Sequence, residues 1–456
     1  MHRRQLLSRG GLSLGSLALA SLMKRDASAA SRPATPAATP RADRVILFHM
    51  TGAPSQLDLF DDKPTLRTYD RQLAPKELFA GKRFSFLRGH PKLLGSPYRF
   101  AKHAGGAVEL SELLPNLAGV ADELCVVKSM VTTEFNHGPA QLQMHTGLNR
   151  QGNPSLGSWA SYGLGSAADD LPGYVVFLGG ASPGAGSALW KSGFLPSRHQ
   201  GVQFRGQGDP VLFLTPPEGV SRDRRRQTLS AIERMNRANL EAIGDPEIAT
   251  RISQYEMAFR MQASVPDLVD LSTEPQSVRA MYGEGEFATQ CLQARRLVER
   301  GVRFVELFRG DWDTHSGQDR RLRAQCRTVD RPIAALIADL RQRGLLDRTL
   351  VVWAAEFGRT PMLQGEEAAA QCGRDHQKDA FTIWMAGGGV RGGHTHGRTN
   401  ELGNEVVEGA TNVRDIHATM LHLLGLDHER LTYRYQGLDQ KLTGVEEARL
   451  VREILA

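Results

Sequence analysis

Several things are scarce in this 456-residue chain. It has four cysteines, Cys125, Cys291, Cys326 and Cys372, and no two of them form a C-x-x-C pair. That spacing excludes the paired-cysteine redox and zinc motifs. Disulfides can still form, in any of three pairings between which the sequence does not choose. Cys125 lies in an apolar run, where a packed thiol is expected. Aromatic content is modest, at 7%. Long apolar runs are absent, so no segment is expected to span a membrane in the mature form. A strong net charge is missing too. Residues 1–29 hold five of the Lys/Arg residues and one Asp, and without them the formal charge falls from +6 to +2. The residual basicity is no argument for a nucleic-acid partner.

The N-terminus reads as an export signal. Arg3-Arg4 is a twin-arginine start, Gly11 to Met23 is apolar, and Ala27-Ser28-Ala29 offers a cleavage site. An apolar stretch of about 13 residues is too short to cross a bilayer. No cysteine sits at the cleavage site, so a lipid anchor is not expected. The organisation is therefore a signal peptide over 1–29, a Pro/Ala-rich linker over 30–43 and one domain over 44–456. The expected location is periplasmic or extracellular. The length and 41% hydrophobic content suffice for one large domain.

Glycine is plentiful (47 residues), and apolar runs recur between helical patterns. Val45–Phe48, Cys125–Val127, Tyr174–Leu178, Val302–Leu307, Leu350–Ala354 and Phe381–Met385 read as strands buried on both faces. Helices are expected between them. Asp330 is placed to cap one with Pro332 in its first turn and Ile333, Leu336, Ile337 and Leu340 on one face. Asp245-Pro246 starts another, with Ile248, Ile252, Tyr255 and Phe259 at helical spacing. Gln290 to Glu299 ends at Gly301, and Asn412 caps a last helix that stops at Gly425. Strand alternating with helix predicts an α/β fold, a mainly parallel sheet flanked by helices. Residues from about 180 to 285 read as an insertion or cap.

Open parallel sheets bind ligands beyond the carboxyl ends of their strands. The segments there carry chemistry: Asp58, then His137, then Asp313 and His315, then Glu356 and Arg359, with Arg374 and His376 just before the sixth strand. Carboxylates and imidazoles together are ligands for Zn, Mn or Fe, and for Ca or Mg where oxygens dominate. One or two divalent ions would neutralise an oxyanion and activate water. Arg359 and Arg374 are candidates to clamp that anion. Each piece has a plainer reading. Asp313-Thr314-His315 can be an Asx turn, Glu356 can pair with Arg359, and His376 can donate to a carbonyl. His394 and His396 are read as solvated loop histidines. The basic run Arg222–Arg226 is read as a solvated helix face.

The twin-arginine start and Gly52-Ala53-Pro54-Ser55-Gln56-Leu57-Asp58-Leu59-Phe60-Asp61 resemble the DUF1501 family. So do Trp312-Asp313-Thr314-His315, Glu356-Phe357-Gly358-Arg359-Thr360-Pro361, Gly373-Arg374-Asp375-His376, Met385 to Val390 and Leu424 to His428. The resemblance covers nearly the whole chain. It implies an exported bacterial protein of alkaline phosphatase/sulfatase-like fold. It further implies a metal-dependent hydrolase of phosphate or sulfate esters, acting on a small molecule or a glycan. The implied ligands are Asp58, Asp313, His315, Glu356 and His376.

The sulfatase motif C-x-P-S-R-A-x-L-x-T-G, aligned on Thr146-Gly147, puts Pro139 on its proline. It also puts His137 on its nucleophile. A Cys, Ser or Thr is absent there, so His137 is left as ligand, base or nucleophile. The superfamily's first metal-binding aspartate is replaced by Thr51-Gly52, with Asp58 nearest, and its Asp-His pair by Glu356-Phe357. The rival reading is a binding or assembly protein on the same scaffold, holding an anionic glycan or a protein partner. The oligomeric state is not legible in the sequence.

Overall fold

The computed structural model describes residues 39–82, 84–206, 210–211, 219–243, 246–366, 368 and 371–456. The expected export signal, most of the expected linker and Asp245 lie outside the described residues. The strands used here are β1 (Arg44–Met50), β2 (Leu124–Val131), β3 (Tyr174–Gly179), β4 (Val202–Phe204) and β5 (Phe304–Arg309). They continue with β6 (Thr349–Ala354), β7 (Gly358–Gly365), β8 (Cys372–Gln377), β9 (Phe381–Ala386), β10 (His394–His396) and β11 (Thr411–Asn412). The helices are α1 (His137–Thr146), α2 (Leu156–Leu164), α3 (Arg222–Ile243), α4 (Pro246–Val269), α5 (Glu286–Glu299), α6 (Gln318–Gln342) and α7 (Val413–Leu423).

Among the described residues nine strands form one sheet in the order β10-β2-β9-β6-β1-β5-β3-β4, with β11 also on β2. All six apolar runs are strands of this sheet. Their pairings are parallel except those of β9, which runs antiparallel to β2 and β6. The alternation along β1 shows why the run had to be continuous. Ile46, Phe48 and Met50 enter one core with Leu292 and Leu297 of α5 and Ile333, Leu336, Ile337 and Leu340 of α6. Val45 and Leu47 enter the other, with Leu142, Trp159, Ile416 and Met420 of α1, α2 and α7. Each such buried aliphatic or aromatic side chain contributes roughly 1.5–3 kcal/mol.

Asn412 caps α7 in a full capping box, and Gly425 follows at φ +76°. Gly301 follows α5 at φ +89°. Asp330 does not cap a helix of its own. It lies inside α6, which continues through Pro332, and its carboxylate accepts from Asn116 N (2.8 Å) and Leu117 N (2.8 Å). It caps the short helix Pro115–Ala118 across the core instead. In α4, Ile252 is buried but Tyr255 is exposed, so the expected apolar face is only partly inward. The four cysteines are buried and none is in a disulfide. His396 is buried with Nε2 on the Gly409 carbonyl (3.1 Å), so it is held by the backbone rather than solvated. Among the described residues no helix is long and apolar enough to cross a membrane.

Candidate metal centre

The parallel strands β1, β2, β5 and β6 all end at one edge of the sheet. The antiparallel β9 begins there, since Phe381 pairs with Met130 near the end of β2. The loops that leave the parallel strands therefore meet the segment that enters β9. His137 opens α1 after β2, Asp313 and His315 come after β5, Glu356 after β6, and His376 lies on β8, ahead of β9. Pro139 is tolerated because the first helical turn has no intrahelical partner for its missing N–H.

Two glycines permit the approach. A Cβ on Gly52 (φ +108°) would lie 2.5 Å from Asp313 N, and one on Gly373 would lie 2.3 Å from the His315 carbonyl carbon. No larger residue lets the 313–315 loop lie against both β1 and β8. The β7–β8 hairpin sets His376 opposite Arg359.

His137, Asp313, His315 and His376 each present one ligand atom, all within 4.8 Å of one another. Asp313 Oδ1 lies 2.9 Å from His315 Nε2, 3.3 Å from His137 Nε2 and 3.5 Å from His376 Nε2. The other ring nitrogen of every histidine faces an acceptor. His137 Nδ1 donates to Glu356 Oε1 (2.7 Å), His315 Nδ1 to Gln364 Oε1 (2.6 Å) and His376 Nδ1 to the Phe135 carbonyl (2.7 Å). These acceptors select the Nδ1–H tautomer, in which a ring turns its Nε2 lone pair toward Asp313. His315 Nε2 and His376 Nε2 stand 2.9 Å apart. Two lone pairs at that distance repel unless a proton or cation lies between them. The Nε2 of His137 is buried and finds no hydrogen-bond partner.

Ligands at 2.0–2.1 Å around a tetrahedral ion stand about 3.4 Å from one another. Four spacings here, from 2.9 to 3.5 Å, bracket that value, and three imidazoles with one carboxylate suit Zn, Fe or Mn better than Ca or Mg. These four residues fit a divalent ion.

The electrostatics favour positive charge at this point. Burial lowers the pKa of His137, but the Asp313 and Glu356 carboxylates beside it outweigh that and push it up to about 9, so a bound cation would take the place of the Nε2 proton. Burial would raise Asp313, yet the three imidazoles and Arg359 hold it far below the carboxylate range. Glu356 is fully buried, and His137 and His49 hold it well below the usual value against that burial. It also accepts from Gly52 N (2.9 Å) and Gln141 Nε2 (3.0 Å). His376 is lowered, first by burial. Phe357 packs on His137 and His376, and Phe86 on His315, which shields the rings. The Asp313 side chain is 43% exposed, so the cluster opens to solvent on that side.

Not all candidate residues meet. Glu356, read from sequence as a ligand, reaches the cluster through the far nitrogen of His137 and acts as that ring's acceptor. Asp58 is outside the cluster. It is fully buried and paired with Arg374 Nε (2.8 Å) and Nη2 (3.2 Å), and it accepts from Ser55 and Gln318 as well. Arg374 Nη1 is held by the Leu94 and Thr360 carbonyls, so four of the five N–H groups of this fully buried guanidinium are engaged within the protein. Arg359 is likewise buried. Nε donates to Ala53 O (2.8 Å), Nη1 to Arg374 O (3.1 Å) and Nη2 to Gly52 O and Asp313 Oδ1 (2.6 Å). It positions Asp313 rather than pairing with Glu356.

His49, Gln141 and Gln364 were not singled out from sequence. The one signal was His49 on the face of β1 shared by Val45 and Leu47, where an imidazole breaks an apolar pattern.

Among curated proteins, none matches the sequence. Solved structures match at low similarity. The alkaline phosphatase of the Antarctic bacterium TAB5 is 10% identical with a TM-score of 0.33, over 77% of this chain and 92% of that one. The lipoteichoic acid synthase LtaP of Listeria monocytogenes is 10% identical with a TM-score of 0.37, over 92% and 80%. The sulfatase PsFucS1 of a Pseudoalteromonas species is 14% identical with a TM-score of 0.36, over 97% and 79%. Likeness at this level assigns no chemistry. The model of the DUF1501 family, described as a protein of unknown function, matches residues 42–455, and this chain belongs to that family.

Proposed function

We propose that this protein is an exported, metal-dependent hydrolase of phosphate or sulfate esters. The observation that carries the reading is the convergence of three imidazole Nε2 atoms on Asp313, with every Nδ1 committed to an acceptor. His137, Asp313, His315 and His376 would hold one ion. A divalent ion bound there supplies a Lewis acid for an ester oxygen and acidifies water.

The chain's own residues do the rest. Glu356 holds His137 in the tautomer that presents Nε2, and Arg359 fixes the Asp313 carboxylate and offsets its charge. Asp313 and Glu356 bring two negative charges against one on Arg359, and the excess favours a cation. His137 stands where a nucleophile would, but its Nδ1 is engaged and its Nε2 points into the cluster, which supports a ligand role. Export rests on the twin-arginine start, which lies outside the described residues.

The test is turnover of aryl and sugar phosphates and sulfates by the purified protein supplied with Zn, Mn or Fe. We expect metal-dependent turnover that falls at least about 100-fold in His315→Ala. Turnover that persists in chelator, or in His315→Ala, contradicts the reading.

One observation favours a second reading, a binding or assembly protein on this scaffold. Both arginines at this sheet edge are fully buried, with four of their five N–H groups on carbonyls and carboxylates, so neither presents an open guanidinium face to an oxyanion. A metal-loaded wild type that binds a sulfated glycan and turns over no ester supports that alternative.

A further inference from the structure

Beneath the metal centre a second pair of histidines is sealed inside the protein. His49 on β1 and His145 on α1 are 0% and 2% exposed. His145 has its partner on the far side: Nδ1 meets Glu306 Oε1 (2.8 Å), and Tyr174 Oη donates to Glu306 Oε2. His49 is different. Neither of its ring nitrogens makes a hydrogen bond of ordinary geometry, and Glu356 Oε2 makes none either. The two groups face each other, with His49 Nε2 3.4 Å from Glu356 Oε2. A buried imidazole and a buried carboxylate oxygen are both costly to leave unpaired, and a shift of a few tenths of an ångström joins them.

The packing leaves His49 little other choice. In the register of β1 and β5 it stands beside Phe308. Its ring lies edge-on to His145 (4.5 Å between centroids, 66°) and against Phe308 (5.4 Å), and Phe308 also packs on His145 (5.1 Å). Among the described residues Glu356 is the one carboxylate within 4.0 Å of its ring nitrogens. Glu356 is divided in the same way. Oε1 accepts from His137 Nδ1, Gly52 N and Gln141 Nε2, whereas Oε2 has His49 opposite it. The last torsion of a glutamate is soft, so a carboxylate held at one oxygen can swing. Held at both, it keeps Oε1 on His137.

We propose that His49 is a positioning residue of the metal centre. Its Nε2–H donates to Glu356 Oε2 and locks the carboxylate that sets the His137 tautomer. The effect on an ion passes through Glu356 and His137, and His49 itself does not touch the ion. The proposal rests on the metal-binding reading above.

The test is the affinity of the purified full chain for Zn, measured by competition with a chelator. His49→Phe keeps the shape of the ring and loses the donor, and affinity should fall about tenfold. His49→Gln places an amide nitrogen near the position of Nε2 and should stay within about threefold of wild type. In a Glu356→Ala background His49→Phe should add less than about twofold, because the residue it acts through is gone. Circular dichroism reports that each variant folds. In the folded wild type, nitrogen NMR should find His49 Nε2 protonated. An unprotonated Nε2 overturns the proposal, and so does a folded His49→Phe that binds Zn within about twofold of wild type. A loss that His49→Gln does not restore, or one equally large in Glu356→Ala, overturns it as well. A wild type that binds no Zn defeats the metal-centre reading and this proposal together. A wild type that binds Zn, with His49→Phe unchanged, defeats this proposal alone.

Discussion

Two aspartates at the same sheet edge, Asp313 and Asp58, meet opposite surroundings. Asp58 is saturated by donors: Arg374 twice, Gln318 and Ser55. Its charge is spent inside the protein. Asp313 receives one guanidinium and faces the Nε2 atoms of three imidazoles whose Nδ1 atoms are committed to acceptors on their far sides. Its surroundings are acceptors that share the need for a positive centre. A carboxylate at a strand end is therefore uninformative by itself. What separates a structural acid from a ligand is where the protons of its neighbours point.

That contrast can be broken from either side. The largest effect should come from Asp313→Ala, which removes the shared oxygen. Metal affinity should fall more than about 100-fold, beyond the range for loss of an outer partner, with the fold intact by circular dichroism. Asp58→Asn should do the reverse. It leaves Arg374 buried beside a neutral amide, and breaking a buried pair costs roughly 3–5 kcal/mol. Urea unfolding should show that loss while metal content stays at the wild-type level. Equal metal loss in the two variants would erase the distinction.

Glu356→Gln sharpens it further. The amide can still accept from His137, but the charge that orients the ring is gone. Metal affinity should fall about 10–100-fold, measured by competition with a chelator.

The smallest effect is a pH dependence of stability away from the centre. Burial holds His417 and His199 down to about 4. The folded protein keeps them neutral, whereas the unfolded chain protonates them near 6.5. Their contribution is complete above 6.5 and is lost as pH falls toward 4. Urea midpoints should drop between pH 7.5 and 5, and His417→Gln should narrow the drop. An equal drop in that variant would remove His417 from the account.

Much of this was legible in the sequence. Continuous apolar runs such as Val45–Phe48 and Leu350–Ala354 marked central strands because both faces of the sheet are covered. The parallel order then pointed to the residues after each strand. His376 joins them because β9 is reversed. Partner choice was not legible. Nothing local says that Asp58 meets Arg374, 316 residues away. Nor does anything local say that Gln364 and the Phe135 carbonyl set the two ring tautomers. Asp330 shows the same limit within the fold: its sequence position fits a cap, but its carboxylate serves another helix.

The most direct test of the centre is elemental analysis of the purified, folded protein after metal-supplemented expression. The account predicts about one equivalent of Zn, Fe or Mn per chain, lost in Asp313→Ala and kept in Asp58→Asn. Less than about 0.2 equivalents of any divalent metal in the wild type would contradict it, since sites of this kind bind tightly.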